Sequence, residues 1–179
     1  IAGMALADPD VITLHFGESD VPTAEFINKA AYDALQNGHT FYTHRRGIPE
    51  LRDSLARHMT GLYGVPIDSD RVTVTPSAMQ ALMLTMMGIL EEDDNIVVIG
   101  PIWPNAVAAV PFAGGVPRVV NLRNGNDGWS LDLDELFDAC DERTRGIFIN
   151  SPANPTGWTV TQEQQQSILE FARANGLWI

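Results

Sequence analysis

The chain has 179 residues, of which 45% are hydrophobic and 19% are charged, and its formal net charge is −12. This length and composition predict one globular domain with a sizeable core, or a domain with an appendage. The acidic charge argues against a nucleic-acid partner, because phosphate backbones are bound by clustered Lys and Arg. The single cysteine, Cys140, excludes a disulfide framework and indicates a reducing, cytoplasmic compartment. We expect no membrane span, because the sequence has no run of about 18 apolar residues.

The first 64 residues carry one alternating segment and two helical patterns. VITLHF (11–16) alternates and leads into a turn-rich stretch. Apolar residues then recur at helical spacing over 24–37, where Asn37-Gly38 ends the pattern, and again over 50–64, behind Pro49. We therefore predict two helices in this part of the chain.

From residue 71 onward, strand and helix patterns alternate. The predicted strands are RVTVT (71–75), NIVVIG (95–100), PRVVNL (117–122), RGIFIN (145–150) and the start of another in LWI (177–179). The predicted helices lie over 77–92, within 103–114, over 131–140 behind the cap Asp132, and over 161–175, where Thr161 and Gln164 resemble a capping box. The acidic run 91–95 between them predicts a solvated turn. Apolar strands separated by helices predict an α/β fold, a predominantly parallel sheet with helices on both faces.

Ligands of such sheets bind beyond the carboxyl ends of the strands, so the strand–helix turns are the candidate sites. In VTPSAMQAL (74–82), small residues open a helix, and free backbone N–H groups there favour an anion. Ser77 adds a hydroxyl donor. The alternative is that Ser77 merely caps the helix.

Two further turns carry a ring and an amide. Trp103 lies between two prolines after a strand and could stack on a planar ligand, or it could pack over the sheet edge. Asn154 in SPANPTG (151–157) could donate its amide to a ligand, or it could close an Asx-turn. Together, the three turns predict a pocket for a flat, phosphorylated, heteroaromatic molecule.

At these motifs the chain resembles the N-terminal half of a fold-type I pyridoxal-phosphate (PLP) enzyme of the class I/II aminotransferase family. The matching stretches are FGESDVPT (16–23), FYTHRRGIPELR (41–52), VTPSAMQALML (74–84), GPIWPNAV (100–107) and SPANPTG (151–157). The resemblance implies that residues 23–179 are the N-terminal part of the PLP-binding large domain. Residues 1–22 would belong to, or lead from, the small domain, and the rest of both domains would lie beyond this chain.

The resemblance also implies roles for particular residues in PLP binding. Asn154 would donate to the phenolic oxygen of the cofactor, and Trp103 would stack on its ring. The phosphate would be bound by the backbone N–H groups of Ser77, Ala78 and Met79, with the Ser77 hydroxyl assisting. Met79 departs from the family pattern, which has Ser or Thr at that position. Cis peptides are expected at Asn154-Pro155 and often at Gly100-Pro101.

Two residues from the first 50 complete the implied site. Tyr42 would reach the phosphate of the neighbouring subunit, so a homodimer with shared active sites is expected. Gly17 would lie beside the α-carboxylate of the substrate. The Schiff-base lysine, the aspartate for the pyridinium nitrogen and the carboxylate-binding arginine would all lie beyond Ile179, because Lys29 matches no family lysine and is expected on the surface. No histidine spacing predicts a metal site.

The implied function is transfer of an amino group from an amino acid to a 2-oxo acid. A PLP-dependent lyase, such as a C–S lyase, remains open, because the cofactor site alone does not set the reaction. A catalytically inactive binding module that lacks the lysine also remains open, although the chain reads as a fragment of a longer enzyme. A nucleotide-binding domain is disfavoured, because the sequence has no glycine-rich phosphate loop of either common type.

Overall fold

The computed structural model describes Asp10, Ile12, Gly17 and residues 19–179. The alternating segment predicted over 11–16 therefore lies almost wholly outside the described residues. Contacts divide the chain into two units, Ile1–Pro49 and Glu50–Ile179. No helix in the described part of the chain is long and apolar enough to cross a membrane.

The first unit contains helix α1, Glu25–Gln36, close to the predicted bounds. No residue of α1 is buried, and its apolar side chains Phe26, Ile27 and Leu35 are exposed. Lys29 lies on the surface as predicted and pairs with Asp33 one turn later, at 2.6 Å.

The second unit alternates helices and strands, as the sequence predicts. Its elements in chain order are α2 (Pro49–Tyr63), a 3-10 turn (Ser69–Arg71), α3 (Ala78–Ile89), β1 (Asn95–Gly100), α4 (Pro104–Phe112), β2 (Val116–Asn121), β3 (Arg123–Gly125), β4 (Gly128–Ser130), α5 (Leu133–Asp138), β5 (Thr144–Phe148) and α6 (Gln162–Asn175). The capping box at Thr161 and Gln164 is present, and the side chain of Asp132 caps α5.

The main sheet has the order β2-β1-β5, and both pairings are parallel. Trp178 adds a parallel bridge to Gly146, so the segment predicted to begin another strand does lie beside β5. Every residue of the central strand β1 is buried. Val97 and Ile99 pack with Leu136 and Ile168 on one face of the sheet, and alternate residues of β1 pack with α3 and α4 on the other. The predicted parallel sheet with two covered faces is confirmed.

The prediction of a strand over 71–75 is wrong. Arg71 ends the 3-10 turn, and the residues after it belong to no strand of either sheet. The backbone of Val72 is extended, but its carbonyl accepts a hydrogen bond from the guanidinium of Arg52 at 2.9 Å. A β-rich run gives the local conformation, whereas a strand also needs a neighbouring strand. The sequence analysis also missed the short hairpin β3-β4.

Polar side chains are paired at the amino edge of the sheet. The amide of Asn95, at the start of β1, donates to the carboxylate of Asp141 at 2.8 Å, and the Thr144 hydroxyl donates to the Asn95 carbonyl at 2.7 Å. Arg118 on β2 also binds Asp141. These hydrogen bonds, the Asn95 amide first and the Arg118 guanidinium second, lower the pKa of Asp141 to about 2. The network therefore joins all three strands at one edge.

The acidic run 91–95 is only partly the solvated turn predicted. Its first residues are exposed, but the side chain of Asp94 is buried and pairs with Arg145 at 2.9 Å. A buried carboxylate of this kind needs a cationic partner. Arg145 is 51 positions away in the chain, which is why the sequence pattern alone did not indicate it.

Asp141→Asn should make the stability less dependent on pH. The folded-state pKa of Asp141 is about 2, below the unfolded value of about 3.9. The carboxylate therefore stabilises the fold above about pH 4, and this contribution is lost as the pH falls towards 2. The variant should unfold more easily than the wild type at neutral pH, and the difference should shrink between about pH 5 and pH 3.

Urea titrations over this pH range measure the effect. Asp127→Asn, in the exposed turn between β3 and β4, removes one negative charge without touching the network and is the matched control. A difference between Asp141→Asn and the wild type that stays constant with pH would contradict the assigned role.

Candidate functional site

The turns that follow β1 and β5 lie at the same edge of the sheet. The two strands run parallel, and Val98 pairs with Phe148 near their carboxyl ends. The chain after Gly100 therefore leaves the sheet beside the chain after Phe148. This edge is the one where parallel α/β sheets bind their ligands.

A backbone hydrogen bond joins the predicted aromatic and amide residues. Trp103 is the N-cap residue of α4, and its backbone N–H donates to the carbonyl of Asn154 at 2.8 Å. The indole remains 39% exposed. The two turns that carry a ring and an amide are thus held against each other.

The loop around Asn154 is tied to itself and to the core. The Ala153 N–H donates to the carbonyl of Trp158 at 2.8 Å, and the Val160 N–H donates to the hydroxyl of Ser151 at 3.0 Å. Trp158 is 7% exposed and packs in the core beneath the sheet. Since both sides of the loop are fixed, Asn154 has a defined position at the sheet edge.

The side chain of Asn154 is available to a ligand. It is exposed, and it makes no hydrogen bond with any described residue. An Asx-turn, the alternative interpretation, is therefore not formed. The Asn154-Pro155 peptide is cis as predicted. Gly100-Pro101, which the resemblance gave as often cis, is cis as well, and so is Ser151-Pro152.

Ser77 caps helix α3, and its hydroxyl is still able to donate. The Ser77 oxygen accepts the Gln80 N–H at 3.1 Å, so the capping interpretation is correct. An accepting hydroxyl keeps its own proton for another partner. The first-turn N–H groups of Ala78 and Met79 have no intrahelical acceptor. Capping and anion binding are compatible at this helix end.

A cavity of about 320 Å³ connects the helix end with the tryptophan. It is lined by Ala78, Ala81, Leu82, Thr85, Ile102, Trp103, Ala106, Phe148 and Asn150. Its walls are mostly carbon, with the indole on one side and the start of α3 on another. A planar, largely apolar group with an anionic substituent fits these surroundings.

The structure brings together only some of the predicted residues. Ala78 and Trp103 share the cavity, Ser77 and Met79 flank Ala78 in the chain, and Asn154 contacts Trp103. Tyr42 and Gly17 are exposed residues of the first unit. Their proposed contacts with cofactor and substrate stay predictions.

The sequence analysis missed Asn150 as a residue of the cavity. It lies two positions after the end of β5 and is half-buried there. Its place at the carboxyl end of a predicted apolar strand was a signal that could have indicated it.

Comparison with known proteins identifies the family. The profile of the family described as aminotransferase class I and II matches residues 9–179, and the chain belongs to this family. The chain is 36% identical over 170 residues to a protein of Aquifex aeolicus named probable aspartate/prephenate aminotransferase, covering 95% of this chain and 43% of that protein. It is 34% identical to the aspartate aminotransferase of Thermotoga maritima, covering 95% of this chain and 45% of that enzyme.

Solved structures agree with the family assignment. The aspartate aminotransferase of Thermotoga maritima superposes with a TM-score of 0.93 at 33% identity, over 99% of this chain and 48% of that one. An aromatic aminotransferase from Pyrococcus horikoshii gives a TM-score of 0.87 at 30% identity, over 99% of this chain and 48% of that one. The chain thus spans less than half the length of these relatives.

Gly100→Ala should destabilise the site edge. A Cβ at this buried position would lie 2.7 Å from Cγ1 of Val119 and 2.8 Å from Oδ1 of Asn121 on β2. Because both contacts are too close, the side chains of Val119 and Asn121 must move aside, or the two strands must separate, where the Trp103 turn begins. We expect a loss of about 1–3 kcal/mol in the free energy of unfolding, measured by denaturant titration.

Gly88→Ala is the matched control for this change. Gly88 lies in α3, and a Cβ there meets nothing within 4 Å. We expect the control to be neutral or to gain about 0.5–1 kcal/mol from helix propensity. Equal stability of the two variants would mean that the approach at Gly100 does not constrain the sheet.

Proposed function

We propose that the whole protein is a PLP-dependent aminotransferase, which passes an amino group from an amino acid to a 2-oxo acid. Family membership and the names of the relatives support this reaction class. The observation that carries the proposal is the hydrogen bond between Trp103 and Asn154 beside the open end of α3. It holds the turn that carries the ring against the turn that carries the free amide, and the ring shares a cavity with the first residue of α3.

Each group at the edge has a separate task in the proposed site. The first-turn N–H groups of α3 and the Ser77 hydroxyl bind the phosphate, and the helix dipole favours its charge. The indole of Trp103 covers one face of the cofactor ring and excludes water there. Asn154 donates to the phenolic oxygen of the ring. The bound PLP supplies an electron sink for the carbanion left when Cα of the amino acid loses a proton.

The proposed chemistry needs residues that this chain does not contain. We place the Schiff-base lysine beyond Ile179, together with the aspartate and the arginine that the family uses. Lys29 is unsuited to the task, because its ammonium is paired with Asp33 on the exposed face of α1. The large-domain assignment of residues 23–179 is part of the same proposal.

We propose no particular amino acid as the substrate. The relatives and structural neighbours carry the names of aspartate, aromatic and alanine aminotransferases. The groups that the present site offers bind the cofactor, which all such reactions share. The substrate side chain is therefore recognised by parts of the protein outside this cavity. Gly17 is proposed as a neighbour of the α-carboxylate, which all amino-acid substrates share.

A homodimer with Tyr42 reaching the partner's phosphate completes the proposal. Exposed apolar side chains support an interface. Phe26 and Ile27 on α1 are 75% and 49% exposed, and Met87 on α3 is 63% exposed.

Light scattering of the full-length protein should give twice the monomer mass. The cytoplasmic location stays a prediction from the cysteine content.

Asn154→Ala tests the assigned contact to the cofactor. The amide donates a hydrogen bond to the anionic phenolic oxygen. This hydrogen bond favours the deprotonated form of the bound cofactor. Removing the amide should raise the pKa of the visible absorbance band of the full-length holoenzyme. A spectroscopic pH titration measures this pKa, and an unchanged value would count against the role of Asn154.

A steady-state assay separates the proposed reaction from the two alternatives. An aminotransferase needs a 2-oxo acid acceptor, whereas a C–S lyase releases pyruvate, ammonia or thiol without one. Turnover of amino acids in the absence of an acceptor would therefore replace the proposed reaction with a lyase. Cofactor binding without turnover of any amino acid would favour an inactive binding module.

A further inference from the structure

Asn150 is a polar residue of the cavity that has no assigned role. It follows β5 by two positions, is half-buried, and lines the cavity together with Ala78 and Trp103. It is four residues before Asn154 and is a separate side chain from the amide discussed above. Neither the motifs nor the resemblance assigns it a role.

The hydrogen bonds of the lining side chains distinguish this amide from the other residues of the cavity. Six of the nine lining residues have only carbon in their side chains: Ala78, Ala81, Leu82, Ile102, Ala106 and Phe148. The hydroxyl of Thr85 already donates to the Ala81 carbonyl of its own helix at 2.9 Å. The side chain of Asn150 makes no hydrogen bond within the described part of the chain. It is therefore the one lining carboxamide, and its hydrogen-bonding capacity is unused.

The Asn150 amide needs a new partner once a ligand fills the cavity. A carboxamide offers two N–H donors and a carbonyl acceptor. In the ligand-free protein these atoms still reach solvent, because no buried polar side-chain atom of the described residues lacks a partner. A ligand that covers the amide must therefore supply the hydrogen bonds that water gives up. An Asx-turn to the backbone, the usual local use of such a residue after a strand, is not made here.

We infer that Asn150 is a further cofactor-binding residue, which hydrogen-bonds a polar atom of the ring system held in this cavity. The inference rests on the proposed PLP function. It adds a second amide to the site, since Asn150 lines the cavity, whereas Asn154 is an exposed residue bonded to the backbone of Trp103. Asn150 thus contributes to cofactor affinity and not to the stability of the cofactor-free fold.

The test compares two measurements on the full-length protein. Asn150→Leu has nearly the same shape without the polar atoms. In titrations of the cofactor-free protein with PLP, this variant should bind about tenfold more weakly, which corresponds to one lost hydrogen bond. Its melting temperature without cofactor should stay close to that of the wild type, because the amide makes no hydrogen bond within the described residues.

Thr85→Val is the matched control, because it lines the same cavity and its hydroxyl is already bonded within α3. We expect its PLP affinity to stay within about threefold of the wild type. Asn150→Ala guards against overpacking by leucine. If both Asn150 variants melt well below the wild type without cofactor, the amide is a structural residue and the inference is overturned.

The outcomes also separate this inference from the proposed function. Unchanged PLP affinity in Asn150→Leu, with binding by the wild type and weaker binding by Asn154→Ala, would overturn the role of Asn150 alone. No binding of PLP by the wild type would overturn the proposed function and this inference with it. Tenfold weaker binding with unchanged melting would support both.

Discussion

The hydrogen bond from the Trp103 N–H to the Asn154 carbonyl is the contact on which the site depends. It forms because β1 and β5 are parallel neighbours, so that their carboxyl ends open at one edge. Each turn is also fixed independently, Trp103 at the start of α4 and the other through Trp158 in the core. The ring and the amide are consequently placed before any ligand arrives, which reduces the entropy that binding must overcome.

The two edges of the sheet differ in how their polar groups are used. At the amino edge, Asn95, Asp141 and Thr144 satisfy one another, and Arg118 adds a charge. At the carboxyl edge, the amides of Asn150 and Asn154 have no partner within the described residues. Satisfied polar networks fix a structure, whereas unsatisfied groups in a concave site are the ones that bind ligands. The fold thus places its satisfied polar network at one end of the strands and the proposed binding surface at the other end.

The parts of the fold that follow local rules were predictable from the sequence. Helix caps at Asp132 and Thr161 and the apolar strand β1 are set by neighbours in the chain, and each lies where the pattern places it. The strand predicted over 71–75 failed, because pairing depends on a neighbouring strand and not on β propensity. The predicted solvated turn was wrong at Asp94 for the same reason, since its partner Arg145 is distant in sequence.

The residues of the candidate site show the same difference between local signals and contacts with distant parts of the chain. Motifs identified the residues whose backbone geometry is unusual, such as Asn154 between prolines and Ser77 at a helix start. Asn150 was missed because its position at the carboxyl end of a predicted strand was its one signal in the sequence, and only the cavity shows what surrounds it. Its importance depends on the apolar side chains that line the rest of the cavity, and these come from other parts of the chain.

The alternative interpretations of the three turns also show why their conjunction was informative. Ser77 is a helix cap, and this does not weaken the anion site, because the cap uses the lone pair of the hydroxyl and leaves its proton. Trp103 lines the cavity together with Phe148 and is still 39% exposed, so its backbone bond to Asn154 holds in place a ring that a ligand could contact. In both cases the structural role prepares the functional one. For Asn154 the turn bond is absent within the described residues, so both the carbonyl and the NH2 group of its amide are unused. An Asx-turn would have occupied only the carbonyl of this amide and left its N–H groups to donate, so at all three turns a structural role and a ligand-binding role are compatible.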